Sequence, residues 1–384
     1  MINIIKYVTC CSDETFFDRP MCDADALVFC QVAYFNFNLI CEQFVYTNRP
    51  KRYKLSDLLS TSISDDLLVY RTLMGKNLIK LISPLKKSKR FKDVEVGYVQ
   101  EIIDRHKETQ FFALTFFLPN NEMFIAYRGT DSTLVGWKED FNMAHLTVVP
   151  AHFKAMLYIE SVLAFEGDKK FYLGGHSKGG NLAYYVANKL NAIYLSNLIK
   201  VYNLDGPGFK HPEEIFDETR ENILKPKYLK LIPHSSLVGI LLNHDADATI
   251  VKSNQFYVLQ HDLFSWLLSK NNYQLITLKK RTLISRINEE TMKNFLHSLN
   301  DDEKKEITDA ILEMLGGVNL NLFDLAMKPF DTLKHWRVVY RSYPKEKRSK
   351  MFKAVTLLLK QWGSAVISVS FTKTTSLSKR RKNT

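Results

Sequence analysis

The residues best placed by type and spacing to do chemistry lie in one run, Tyr172-Leu-Gly-Gly-His-Ser177-Lys-Gly-Gly-Asn181-Leu-Ala-Tyr-Tyr-Val-Ala187. Within it, Gly175-His176-Ser177-Lys178-Gly179 is a G-x-S-x-G pattern. A β-rich stretch (169–173) precedes the pattern and a helical one (181–195) follows. That is the strand–turn–helix setting of a nucleophile elbow. Glycines flank the serine because the turn leaves no room for side chains beside it. The hydroxyl then stands at the positive end of the following helix. The chain is poor in glycine, with 15 in 384 residues, yet Gly174, Gly175, Gly179 and Gly180 cluster here. Such clustering argues against an ordinary βα turn that happens to carry a serine.

A serine hydroxyl is a weak nucleophile at neutral pH. It needs a histidine to take its proton and an acid to orient that histidine. On an elbow of this kind the chain order is serine, acid, histidine. The histidines after Ser177 are His211, His234, His244, His261, His297 and His335. His261 ranks first: it follows a strand expected at 255–259, where a loop can overhang the sheet's C-terminal edge. Asp205 ranks first among the acids because it directly follows the strand expected at 199–204 and opens Asp205-Gly-Pro-Gly208; Asp247 is the alternative. The oxyanion of an acyl-transfer intermediate needs backbone N–H donors. Lys178, directly after the serine, should supply one, and the Gly129-Thr130 loop after an earlier strand should supply the other. The Lys178 side chain itself is expected to face solvent. Trp137, Phe141 and Met143 lie beside the oxyanion loop, as lining for an acyl site or as core. This chemistry uses no metal or other cofactor, and the chain has no metal-ligand cluster.

The elements that must position these residues form an α/β pattern. Strands are expected at 110–118 and 122–127, joined by a Pro119-Asn120-Asn121 hairpin turn, then at 171–173, 199–204, 228–232 and 255–259. Helices at 151–165 and 181–195 alternate with them, which implies a mostly parallel sheet covered by helices on both faces. Residues 1–100 read as a mainly helical N-terminal extension packed on the core, with a loop around Pro84. Residues 101–275 read as the α/β core, and 276–384 as a helical C-terminal region with a basic tail. Its helices are expected at 289–299, 301–315, 320–334 and 345–360.

Composition bounds the rest. A hydrophobic content of 46% and an aromatic content of 12% belong to a chain with a large packed core, not a disordered one. Cys10, Cys11, Cys22, Cys30 and Cys41 lack zinc spacing and are odd in number, so free thiols in a reducing compartment are expected. The first residues lack a basic n-region, and the apolar run at 354–371 is interrupted by Lys360, Gln361 and Gly363. The expectation is a soluble, cytoplasmic protein. The net charge of +12 concentrates at 76–92 and in the tail Lys379-Arg-Arg-Lys382, which suits peripheral contact with anionic membrane. No motif points to a specific nucleic acid.

The segment Phe124-Ile-Ala-Tyr-Arg-Gly-Thr130, with Trp137 and Asp140, resembles the F-R-G-[ST]…W…D segment of class 3 lipases. Longer runs resemble a bacterial family of lipase-like α/β-hydrolases: 127–142, 174–183, Asn203-Leu-Asp-Gly-Pro-Gly-Phe209 and Gln260-His-Asp-Leu-Phe-Ser-Trp266. The resemblance covers about residues 1–315. It implies an α/β-hydrolase fold, a serine ester hydrolase with Ser177 as nucleophile, Thr130 in the oxyanion hole, and a lipid or small-molecule acyl ester as substrate. Class 3 lipases usually carry their acid after the strand that follows Asp205. Here that place holds Ser235 and Ser236, so the resemblance leaves the acid open. The alternative function is a catalytically silent hydrolase fold that binds a partner or a membrane surface.

Overall fold

The computed structural model describes residues 1–69, 75–131, 133–243, 247–316 and 337–381. Among them, nine strands form one sheet in the order in which they occur in the chain. They are β1 (Tyr53–Lys54), β2 (Glu95–Asp104), β3 (Thr109–Phe117), β4 (Met123–Tyr127), β5 (Phe171–His176), β6 (Leu198–Leu204), β7 (Tyr228–Pro233), β8 (Thr249–Val251) and β9 (Thr277–Leu278). The sheet is parallel from β4 to β8 and antiparallel at both flanks. The fold is α/β, as the alternating pattern predicts.

Residues 111–127 are buried almost throughout, so β3 and β4 read as apolar runs without a solvent face. Alternate side chains enter two separate cores. Phe124 and Ala126 of β4 join one; Met123, Ile125 and Tyr127 join the other. The second core is built with the crossover helix Pro150–Glu166 and the elbow helix Lys178–Lys189. Sequential parallel strands with crossovers of one hand place those helices on a single face. The opposite face therefore needs another cover. The N-terminal helices Ile4–Cys10, Asp23–Val32 and Gly75–Lys87 supply it, through Ile4, Tyr7, Leu27, Phe29, Leu78 and Leu81.

The Pro119-Asn120-Asn121 turn forms as expected. Asn121 adopts φ 66°, its N–H donates to Leu118 O (3.0 Å), and Leu118 N–H donates to Glu122 O (2.9 Å). Three local readings are corrected. The sheet starts earlier than residue 110: β2 pairs antiparallel with β3, and Glu95, Gln100, Glu101 and Asp104 interrupt the apolar run that marks the other strands. Pro84 lies inside the helix Gly75–Lys87, where burial of Leu78, Leu81, Ile82 and Leu85 outweighs one lost backbone bond. The strand expected at 255–259 is absent; β8 is Thr249–Val251 instead. Phe256 to Leu259 are β-prone but exposed, because β8 already occupies the β7 edge and β9 occupies its own.

The C-terminal region contains the helices Leu283–His297, Asp301–Gly316, which starts on Asp301, Asp302 and Glu303, and Lys345–Arg381. The helix expected at 320–334 lies outside the described residues. Among the described residues no helix is long and apolar enough to cross a membrane. All five cysteines are free thiols.

Candidate active site

β5 ends at His176 and the elbow helix begins at Lys178, so Ser177 takes the whole turn, with φ 58° and ψ −133°. This is a strained backbone for a residue with a side chain. The neighbouring chain segments close tightly around it. A Cβ on Gly175 would lie 2.2 Å from the Gly179 carbonyl, and a Cβ on Gly179 would lie 2.0 Å from Tyr127 O. Only glycine fits either place. Ser177 is the one partly exposed residue in the otherwise buried stretch 171–180.

Asp205 directly follows β6, in a left-handed conformation (φ 51°) that Asp tolerates better than most residues. Its carboxylate is fully buried and held at both oxygens. Oδ1 accepts from Ser236 Oγ (2.6 Å) and Gly239 N–H (3.1 Å), and Oδ2 lies 2.7 Å from His261 Nδ1. Ser236 lies just after β7, so this hydrogen bond ties the end of β7 to the end of β6. Asp247 is exposed in the turn before β8 and makes no hydrogen bond to His261. The structure thus brings Asp205, not Asp247, to the histidine.

His261 ends a short 3-10 turn, Tyr257–His261, and is anchored through its backbone. Its carbonyl accepts from His176 Nε2 (2.7 Å), and the His176 ring lies against the His261 ring with centroids 4.3 Å apart. The preceding carbonyl, of Gln260, accepts from Trp266 Nε1 (2.9 Å), and Gln260 Oε1 accepts from Ser235 N–H (2.9 Å). With the His176 proton on Nε2, Nδ1 accepts from the Tyr34 hydroxyl (3.1 Å). Burial, reinforced by the neighbouring His261, holds the His176 imidazole neutral, well below the usual histidine range. The His261 side chain is 18% exposed. Its ring and the Ser177 hydroxyl make no hydrogen bond to each other here; His176, which directly precedes Ser177, joins the two segments through its bond to the His261 carbonyl.

The loop after β4 closes the other side. A Cβ on Gly129 would lie 2.6 Å from both His176 O and Tyr34 Oη, and 3.0 Å from Ser177 Cβ. This brings the Gly129-Thr130 backbone against the elbow. Thr130 Oγ1 donates to the Asp140 carboxylate (2.6 Å), on the helix Leu134–Asn142. Burial raises the Asp140 pKa to about 6, against the pull of Lys178 and the Thr130 hydrogen bond.

The Lys178 side chain corrects the expectation of a solvent-facing charge. It is buried, and Nζ donates to Gln110 O (2.9 Å), Gln110 Oε1 (3.0 Å) and Glu139 Oε2 (2.7 Å). Glu139 in turn accepts from the N–H groups of Gln110 (3.0 Å) and Ala151 (2.9 Å). The elbow's inner turn points into the sheet, and the ion pair fills that space. Trp137 and Phe141 are half-buried one turn apart, with ring centroids 6.4 Å apart, whereas Met143 is buried in the core of the crossover-helix face. Of the other histidines, His211 is half-buried beside Glu213, His297 is exposed, and His234 contacts Gln260; His244 and His335 lie outside the described residues.

Tyr34, His176, Gln110, Glu139, Ser236 and Gly239 complete the arrangement but carry no sequence signal of their own. Tyr34 is 142 residues from its partner His176. Among the described residues no cluster of side chains could hold a metal ion. No curated protein matches the chain. The Mbeg1-like family matches residues 85–313, a span that contains Gly129, Ser177, Asp205 and His261. Since that match covers more than half of its length, the chain belongs to the Mbeg1-like family, a lipase-like family.

Proposed function

We propose that the chain is a serine hydrolase that cleaves an acyl ester through an acyl-enzyme on Ser177. The observation that carries this reading is the 2.7 Å contact between His261 Nδ1 and the buried Asp205 carboxylate, at the sheet edge where the Ser177 elbow stands. Asp205 keeps the Nδ1 proton in place, which leaves Nε2 to accept the Ser177 proton. The alkoxide oxygen then attacks the ester carbonyl. The N–H groups of Lys178 and Thr130 receive the developing oxyanion, and the Thr130 hydroxyl, committed to Asp140, fixes that loop. His261 returns the proton to the leaving alcohol; a water deprotonated by the same nitrogen then releases the acid.

The segment leading into His261 supports an acyl substrate. Phe256, Tyr257, Val258 and Leu259, which lead through Gln260 into His261, are 75, 65, 41 and 38% exposed. An exposed apolar segment in the same turn as His261 suits an acyl chain rather than a charged acid.

Hydrolysis of p-nitrophenyl esters of increasing chain length tests the reading. Wild type should turn them over, and Ser177→Ala and His261→Ala should lose about 10³-fold or more in kcat/KM. Asp205→Asn should lose activity while remaining folded. Turnover unchanged in Ser177→Ala would exclude the mechanism, and a folded wild type inert to every ester would favour a silent binding module.

A further inference from the structure

Among the described residues, the C-terminal helix Lys345–Arg381 meets the body through one face. Lys347 and Lys350 pair with Glu313 and Glu306 of the helix Asp301–Gly316, Gln361 donates to Ser298 Oγ (3.1 Å), and Ala365 is fully buried. On a different face Phe352, Val355, Leu359 and Trp362 follow one another at spacings of three and four, which aligns them in one stripe. They are 67, 56, 64 and 46% exposed. Lys353 and Lys360, both exposed, run along one border of the stripe, and Arg348 stands one turn before Phe352. The helix carries ten basic residues against a single acid, Glu346, and so holds +9 of the chain's net +12.

An exposed Phe/Leu/Trp stripe edged by lysines is the pattern of a helix lying in the plane of a lipid interface. Its apolar side chains enter the acyl boundary while lysine stems keep their ammonium groups at the headgroups. The charge selects among occupants. A second copy of the helix would bring +9 against +9, and a polyanion without an acyl layer would leave the stripe in water. The helix is also not apolar enough to span a bilayer. We propose that the 352–362 stripe docks the protein reversibly on an anionic lipid surface, with Arg348, Lys353 and Lys360 at the headgroup phosphates.

Co-sedimentation of the full chain with phosphatidylcholine vesicles, with and without phosphatidylglycerol, tests this at low and high salt. Wild type should pellet with the anionic vesicles at low salt and stay in solution with the neutral ones. The double variants Leu359→Ser/Trp362→Ser and Lys353→Glu/Lys360→Glu should each bind about tenfold more weakly or worse. Phe153→Ser, which removes an equally exposed apolar side chain from the crossover helix, should bind as wild type. The variant sites are exposed, and unchanged thermal melts check that the fold is kept. Wild type remaining in solution with anionic vesicles would overturn the proposal. Equal binding by the stripe variant would also overturn it, since charge alone would then suffice. A wild-type dimer that becomes monomeric in the stripe variant would assign the stripe to self-association instead.

Discussion

At the scale of single residues, the proposed site is governed by what burial does to charge. Asp262 follows His261 and caps the next turn, its carboxylate accepting from Phe264 N–H (2.8 Å). Burial moves its pKa from the ordinary 3.8 to about 7, against the Phe264 and Asn77 hydrogen bonds. The folded protein therefore binds this proton more tightly than the unfolded chain. Stability contributed at Asp262 is lost as pH rises from about 4 to about 7 and stays lost above. Asp262→Asn keeps an acceptor for Phe264 N–H but cannot ionise. Its melting temperature relative to wild type should rise across that window and level off above it. A difference independent of pH would contradict this assignment. The placement of Ser177 was legible in the sequence because strand, glycines and helix are contiguous. The pairing of His261 with Asp205 was legible only as a ranking. It closes a separation of 56 residues, and the one local mark that set Asp205 above Asp247 was its place directly after a strand.

Between elements, Lys178 is the joint. One ammonium ties the elbow helix to β3 through Gln110 and to the helix Leu134–Asn142 through Glu139, with Asp140 3.6 Å away. Removing it leaves the Glu139 carboxylate buried without its cation. Lys178→Met should cost about 3–5 kcal/mol of stability, read from the urea midpoint at unchanged m-value. A loss under about 1 kcal/mol would show that the pair is solvated or dispensable. A lysine in the first turn of an amphipathic helix looks like a surface residue, and only tertiary packing turns it inward. The same cause explains the missed β8. Residues 255–259 have strand composition, but strand formation requires a free neighbouring edge, which local sequence does not reveal.

For the whole molecule, sequential strand order decides the architecture. The crossover helices occupy one face, so the N-terminal helices must seal the other. Arg90 locks that seal. Its guanidinium is fully buried, pairs with Asp25 at 2.8 and 2.6 Å, and donates to the carbonyls of Thr15, Arg19 and Pro20. Arg90→Met should destabilise the chain by about 3–5 kcal/mol and expose the sheet face to hydrophobic dyes before global unfolding. Melting indistinguishable from wild type would contradict that role. The alternation of strands and helices was readable from periodicity. Which face the N-terminal helices meet was not, because helices that precede the sheet carry no mark of it.

The central claim is that Ser177 is a nucleophile activated by His261 and Asp205. The most direct test is fluorophosphonate labelling followed by intact-mass and peptide mapping. The account predicts one adduct per wild-type chain, on Ser177, absent from Ser177→Ala and formed much more slowly in His261→Ala and Asp205→Asn. An adduct elsewhere, or labelling of Ser177 at the same rate without His261, would contradict it.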